Sequence, residues 1–185
     1  MRFSVVYLLP AVYCLLAVSI SCKQKTDYSG EIARLDSAIV KLREAENTFT
    51  ALDTVSLQAS SRLFQEKLHT IRDRISGDTV KKITAQFLSY ACEQEGNLAN
   101  LIENKRYFAR AIAEGRQRIS DLKHDLTEDL IEKNKSAEYI VNELNASQKI
   151  CETMNQSIEK AKSAAAKLDS MKTRIVFIAD SLQSK

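Results

Sequence analysis

The chain has few of the residues that interrupt helices. It contains no tryptophan, a single proline at position 10, and four glycines among 185 residues. Proline ends helices, and both residues are typical of turns. No useful stretch alternates between apolar and polar residues with the period of two that marks a strand. We therefore expect no sheet, and the abundance of alanine, leucine, lysine and glutamate indicates an all-α fold.

An excess of charge of one sign is also missing. The sequence has 27 lysine and arginine residues against 24 aspartate and glutamate residues, a formal net charge of +3. Both signs are interspersed, whereas a nucleic-acid-binding protein gathers its basic residues on one face. The balance excludes nucleic acid as a partner and is typical of a solvated helical surface. The length is that of one domain.

The first residues carry the features of an export signal. Residues 3–21 hold no charged side chain, Arg2 precedes them, and they end in the small residue Ser21 before Cys22 and the basic Lys23. A basic start, an apolar middle and a small-residue exit are the parts of a secretory signal peptide. A cysteine at the cut resembles the lipobox of bacterial lipoproteins.

This resemblance implies removal of residues 1–21 and lipid attachment at Cys22, which becomes the new N-terminus, with residues 22–29 as a tether. Two or more acyl chains hold a protein firmly on a membrane, whereas one does so only marginally. Lys23, rather than an aspartate, points to the outer membrane. An uncleaved signal anchor and an ordinary cleaved signal peptide remain the alternatives, since 19 apolar-leaning residues are just long enough to span a bilayer.

The last part of the chain has a sustained heptad pattern. Steps of four and three from Ile140 to Leu182 pass through thirteen positions, of which eleven are apolar. Such a repeat predicts a long helix with coiled-coil-like packing. The same steps between residues 80 and 126 continue through Gly96 and Gly115 without a change of phase. They predict one helix over about 78–133.

The interruptions of the pattern divide the chain. Gly77 and Asp78 predict a helix stop followed by a helix start, and a polar lapse over 129–136 predicts a turn. The segment 30–76 is either one kinked helix of about 46 residues or two of about 22, since Thr54 can cap a new start. We predict an elongated antiparallel helical bundle of three long helices. A bundle with four helices at one end is the alternative.

The predicted bundle occupies residues 30–185, with helices over about 30–76, 78–133 and 136–183. At 1.5 Å per residue each helix measures roughly 70–80 Å. In this arrangement Cys92 and Cys151 lie roughly 40 Å apart along the bundle. A disulfide needs Cα atoms within about 7 Å, so we expect no bond between these two cysteines.

No group of residues indicates catalysis or a cofactor. His124 and Glu128 stand one helical turn apart, with Asp121 and Asp125 nearby, but a closed zinc site needs four ligands, usually including cysteine or a second histidine. We interpret these four as solvated surface and predict no metal, no cofactor and no catalytic residue. A catalytic site also needs a concave pocket, and long helices packed side by side offer little concavity.

Two pairs of neighbours place an aromatic ring beside the apolar stripe. They are Tyr107 with Phe108, and Tyr139 with Ile140. Such pairs mark either a wider core stripe or a patch for a protein partner, and the core is the commoner explanation. Polar residues within the stripe can also set the register of a self-association, so a homo-oligomer stays open; these are Gln94, Lys105 and Lys172.

Together these features predict a non-enzymatic lipoprotein of the cell envelope, anchored in the outer membrane and facing the periplasm. It would act as a scaffold, a spacer or a protein-interaction module for an envelope protein. The alternative is a surface-displayed helical binding protein or adhesin, similar in outline to the helical lipoproteins of spirochaetes.

Overall fold

The computed structural model describes residues 26–75 and 82–184, and every regular element in these ranges is an α-helix. Five helices pack against one another, which confirms the all-α helical bundle, but the prediction of three long helices is wrong. The predicted break at Gly77 and Asp78 lies outside the described residues. The helices are α1 (Ser29–Thr50), α2 (Thr54–Arg74), α3 (Lys82–Glu103), α4 (Lys105–Thr127) and α5 (Lys133–Gln183).

The predicted helix over 30–76 is interrupted at residues 51–53. The hydroxyl of Thr50 donates to the carbonyl of Glu46 at 2.8 Å, a local bond that competes with continuation of the helix. Asp53 then caps α2, because its carboxylate accepts from the backbone N–H of Ser56 at 3.0 Å. The alternative of two helices of about 22 residues is therefore confirmed, with 22 and 21 residues, and the cap is Asp53 instead of Thr54.

The predicted helix over 78–133 is interrupted at Asn104. The side-chain amide of Asn104 donates to the carbonyl of Asn100 at 2.9 Å and to its side-chain oxygen at 3.0 Å. The backbone N–H of Asn104 uses the same carbonyl, at 3.0 Å. One acceptor shared by two donors distorts the helix locally, so α4 starts at Lys105 after a single non-helical residue.

The last turn of the bundle is shifted from its predicted position. Helix α4 ends at Thr127 instead of about 133, and α5 begins at Lys133 instead of about 136. The turn therefore comprises residues 128–132. Ser136 lies buried within the first turn of α5, and its hydroxyl donates to the carbonyl of Lys133 at 2.9 Å.

All four shorter helices pack along α5. Helix α1 lies between α4 and α5, and ion pairs join Asp36 to Lys123 and Glu46 to Arg116. The later residue of α1 pairs with the earlier residue of α4, so the two helices are antiparallel. Helix α2 lies between α3 and α5. With 51 residues, α5 measures about 77 Å at 1.5 Å per residue.

Helices α3 and α5 are antiparallel as well, and two cation–π contacts join them. The Lys167 ammonium lies 5.7 Å from the Tyr90 ring centroid, and the Arg174 guanidinium lies 4.2 Å from that of Phe87. Each such contact contributes about 0.5–1 kcal/mol at an exposed site. They fix the register of α3 against the second half of α5.

The core runs along the heptad positions that the sequence indicates. Full burial of each such side chain contributes about 1.5–3 kcal/mol, so this stripe supplies most of the packing. Among the three polar positions in it, Gln94 is buried, whereas Lys105 and Lys172 reach solvent. The largest fully buried side chains are Leu35, Leu42, Ile71, Leu98, Ile112, Ile119, Leu126, Met154, Ile158, Leu168 and Ile175.

Candidate functional site

A groove lies between α4 and α5 along one side of the bundle, and we call it the α4–α5 groove. It encloses about 640 Å³. Its α4 residues recur every three or four positions, as do those of α5, because one face of each helix lines it. The lining residues are Tyr107, Phe108, Arg110, Ala111, Glu114, Arg118, Ala146, Lys149, Ile150 and Thr153.

A chain of three aromatic rings leads from the core to one end of this groove. Phe49 and Phe108 stand edge to face with centroids 6.0 Å apart, and Phe108 and Tyr107 do so at 5.6 Å. Phe108 is buried, whereas Tyr107 is 57% exposed. Because the buried rings support it from below, Tyr107 presents a supported aromatic face to solvent.

The two aromatic pairs predicted from the sequence divide in the same way. Phe108 and Ile140 are buried in the core. Tyr107 is exposed and Tyr139 is 44% exposed, so the commoner interpretation, in which the tyrosines widen the core stripe, is wrong. Tyr139 also falls on the α5 stripe that contains Ile150, at a spacing of eleven residues, which is three helical turns.

Gly115 allows α4 to approach α5 closely below the groove. A Cβ atom at Gly115 would lie 3.3 Å from Cδ1 of Ile150 and 3.6 Å from Cδ1 of Leu42. These distances leave little room for a side chain. The glycine therefore keeps the floor of the groove narrow, and Ile150 forms part of that floor.

The charges of the groove are partly paired. Nε of Arg118 donates to both carboxylate oxygens of Glu143, at 3.0 and 3.2 Å, which closes one end. Arg110 and Lys149 form no ion pair with any described residue. The Arg118–Glu143 register places these two cations at nearly the same level on opposite helices.

The end of the predicted tether, residues 26–28, meets the bundle at the end where the turn between α4 and α5 lies. Thr26, Asp27 and Tyr28 share a cavity of about 610 Å³ with residues of the first turn of α5, among them Lys133 and Ser136. Tyr28 is buried, and its hydroxyl has no hydrogen-bond partner among the described residues. The backbone N–H of Ser29 donates to the carboxylate of Asp27, and this bond lowers the pKa of Asp27.

The α4–α5 turn at this end is held by backbone hydrogen bonds. The N–H of Leu130 donates to the carbonyl of Asp125 at 2.9 Å, and that of Asp129 donates to Leu126 at 3.3 Å. Asp129 has a φ of 54°, the left-handed conformation that ends many helices in this pattern, the Schellman motif. Leu130 is nonetheless 67% exposed.

Cys92 and Cys151 are free thiols on α3 and α5. Partial desolvation raises the pKa of both thiols, because it penalises the charged thiolate. Cys92 is exposed, and Cys151 is half-buried beside Lys41 in a second groove between α1 and α5. A raised pKa makes each thiol a poor nucleophile at neutral pH.

At the end of α4, Asp121, His124 and Glu128 are exposed to solvent, whereas Asp125 is half-buried. Asp121 accepts from the amide of Gln117 at 2.8 Å, and His124 and Glu128 are solvated. Within the described ranges, no three histidine, cysteine, aspartate or glutamate side chains converge closely enough to bind a metal ion.

Cys22, the predicted lipid attachment site, and the signal peptide 1–21 lie outside the described residues. Among the helices that the structure does describe, none combines the length and apolar character needed to cross a membrane. Comparison with protein-family models, with curated proteins and with solved structures finds no match to this chain.

Sequence reasoning singled out the tyrosines but missed Arg110, Lys149 and Leu130. Arg110 and Lys149 lie 39 residues apart in the sequence, and only the alignment of α4 with α5 brings them to one groove. For Leu130 a signal existed, because it is an aliphatic residue in the predicted polar turn.

Proposed function

We propose that this chain is a lipoprotein of the cell envelope that acts by protein contact. Lipid on Cys22 anchors it in the outer membrane, and the helical bundle extends into the periplasm as a scaffold, spacer or interaction module. The anchoring part of the proposal is supported by the charge-free stretch 3–21, Ser21 and Cys22, in the arrangement of a lipobox.

The proposed role as a scaffold or spacer is supported chiefly by the position of the tether relative to α5. Residues 26–28 join the bundle beside the start of α5, and α5 then runs for about 77 Å. We infer an elongated antiparallel bundle in which α1 with α2 and α3 with α4 form two interrupted arms along α5. A bundle of this kind places its far end a fixed distance from the membrane.

A non-catalytic role is supported by the chemistry of the described surface. The two thiols have raised pKa values. The α4–α5 groove is open and is lined mainly by apolar and cationic side chains, with the carboxylate of Glu114 among them. Exposed aromatic rings beside arginine are frequent among residues that anchor protein partners. Tyr107, Arg110 and Ile150 are therefore the residues we assign to partner contact.

Mass spectrometry of the N-terminal peptide from membrane-fractionated protein tests the anchor. We expect a peptide that begins at acylated Cys22, and we expect Cys22→Ala to leave the membrane fraction. Cys14→Ala is the matched control, because Cys14 lies inside the signal peptide and its loss leaves lipidation intact. An N-terminus that retains residues 3–21 would contradict lipid anchoring and indicate a signal anchor.

Protease treatment of intact cells decides which side of the outer membrane the bundle occupies. A periplasmic bundle is protected until the outer membrane is permeabilised. Cleavage without permeabilisation would instead support the alternative, a surface-displayed binding protein or adhesin.

Site-specific photocrosslinking tests the contact surface. A benzophenone side chain at position 107 in the α4–α5 groove is compared with one at position 55, where Val55 is 77% exposed on α2. We expect adducts with envelope proteins from position 107 and not from position 55. Equal adducts from both positions would contradict a role for the groove.

A further inference from the structure

We propose that the α4–α5 turn rests on the bilayer, with the Leu130 side chain inserted at the boundary between head groups and acyl chains. This inference rests on the proposed function, because it requires the lipid on Cys22. It adds a second, non-covalent contact with the membrane and fixes which end of the bundle faces it.

The first observation is the unusual exposure of Leu130. In a Schellman motif the apolar residue after the left-handed position commonly packs on the residue five positions before it. Here that position is Asp125, which offers no apolar surface, so Leu130 projects outward while Ile131 packs against the core. The hydrogen bond from Leu130 to Asp125 keeps the backbone of the turn in place.

The second observation is the distance between the turn and the anchor. Thr26 and Tyr28 line one cavity with Lys133 and Ser136, so the tether and the turn lie at the same end. Cys22 precedes Thr26 by four residues, which reach at most about 14 Å when fully extended. A lipid on Cys22 therefore holds this end of the bundle within reach of the bilayer surface.

The charge of the turn argues for a contact driven by apolar burial. Glu128, Asp129 and Glu132 carry three negative charges, and Lys133 and Lys135 carry two positive ones. Such a near balance gives little attraction to anionic lipids. Removal of the exposed leucine from water supplies the driving force instead, so zwitterionic lipid is sufficient.

Fluorescence quenching tests this arrangement, because the chain has no tryptophan of its own. Leu130→Trp is compared with Val55→Trp, whose side chain lies roughly 35 Å farther along the bundle. The lipid-anchored chain is reconstituted in phosphatidylcholine vesicles with and without brominated acyl chains. We expect blue-shifted emission and loss of intensity on bromination at position 130, and water-like, unquenched emission at position 55.

Vesicle flotation, measured first, separates the two proposals. A chain that does not float with the vesicles contradicts the lipid anchor of the proposed function. It also contradicts the contact of the α4–α5 turn with the bilayer, which depends on that anchor. A chain that floats while the tryptophan at position 130 stays unquenched overturns this inference alone. Equal quenching at positions 130 and 55 overturns it too, because the bundle then lies flat on the membrane.

Discussion

Gly96 and Gly115 both lie inside helices, but the space around them differs. Apart from the neighbouring backbone of its own helix, nothing lies within 4 Å of a Cβ built at Gly96, whereas one at Gly115 meets Ile150 at 3.3 Å. An interior glycine costs a helix about 1 kcal/mol relative to alanine. Only Gly115 has a packing reason for this cost.

Gly96→Ala is expected to raise the free energy of unfolding by about 1 kcal/mol, since alanine restricts the unfolded chain and meets no obstacle in α3. Gly115→Ala is the matched comparison, and its gain is expected to be smaller because Ile150 must move. Urea denaturation followed by circular dichroism measures both. A gain at Gly115 equal to that at Gly96 would show that α4 and α5 are not closely packed there.

Cys92 and Cys151 are expected to react slowly in the folded chain. Because burial raises the pKa of both thiols, the thiolate fraction at neutral pH is below that of an ordinary cysteine, and the half-maximal rate shifts to higher pH. Iodoacetamide alkylation of Cys92→Ser and Cys151→Ser variants, followed against pH by mass spectrometry, measures each thiol separately. The urea-unfolded chain is the control.

The raised pKa values of the two thiols also determine how the stability of the fold changes with pH. The folded state binds the thiol proton more tightly than the unfolded state does. As pH rises through the pKa of the unfolded thiol, the unfolded state ionises first, and stability falls until the folded thiols ionise as well. A rise in stability over this alkaline range, attributable to either cysteine by its serine variant, would contradict the raised pKa.

At the scale of elements, the start of α2 depends on a single cap. Asp53→Ala is expected to lower the free energy of unfolding by about 1 kcal/mol, because the N–H of Ser56 loses its acceptor. Asp53→Asn, which keeps a side-chain oxygen, is expected to retain most of that stability. Thermal unfolding of both variants measures the difference. An alanine variant as stable as the wild type would mean that packing alone starts α2.

The heptad pattern predicted which residues form the core, because burial at positions such as Leu98 and Ile158 follows directly from the period of a helix. It did not predict the interruption at Asn104, where a side-chain bond to Asn100 alters the helix without changing the phase of the apolar stripe. The groove was predicted only through Tyr107. Its cations depend on the register of α4 against α5, which the Arg118–Glu143 pair fixes and which no local spacing reveals.

At the scale of the whole molecule, the length of α5 sets the dimensions. Small-angle scattering of a chain that begins at Thr26 is expected to give a maximum dimension of at least about 77 Å. The radius of gyration is expected to be well above the value of about 15 Å for a compact domain of this size. A compact value would contradict the elongated bundle.

The arrangement of contacts along α5 also has a consequence for how the protein unfolds. Within the described residues, α1 packs on α4 and α5, and α2 packs on α3 and α5, while α3 and α4 meet only where they follow one another. The two halves therefore share α5 and little else, which is the pattern of two cooperative units with separate opening free energies. The half farther from the tether can open and close in hydrogen exchange while the half at the membrane stays protected. Helix α5 then remains as the surface on which the opened half refolds.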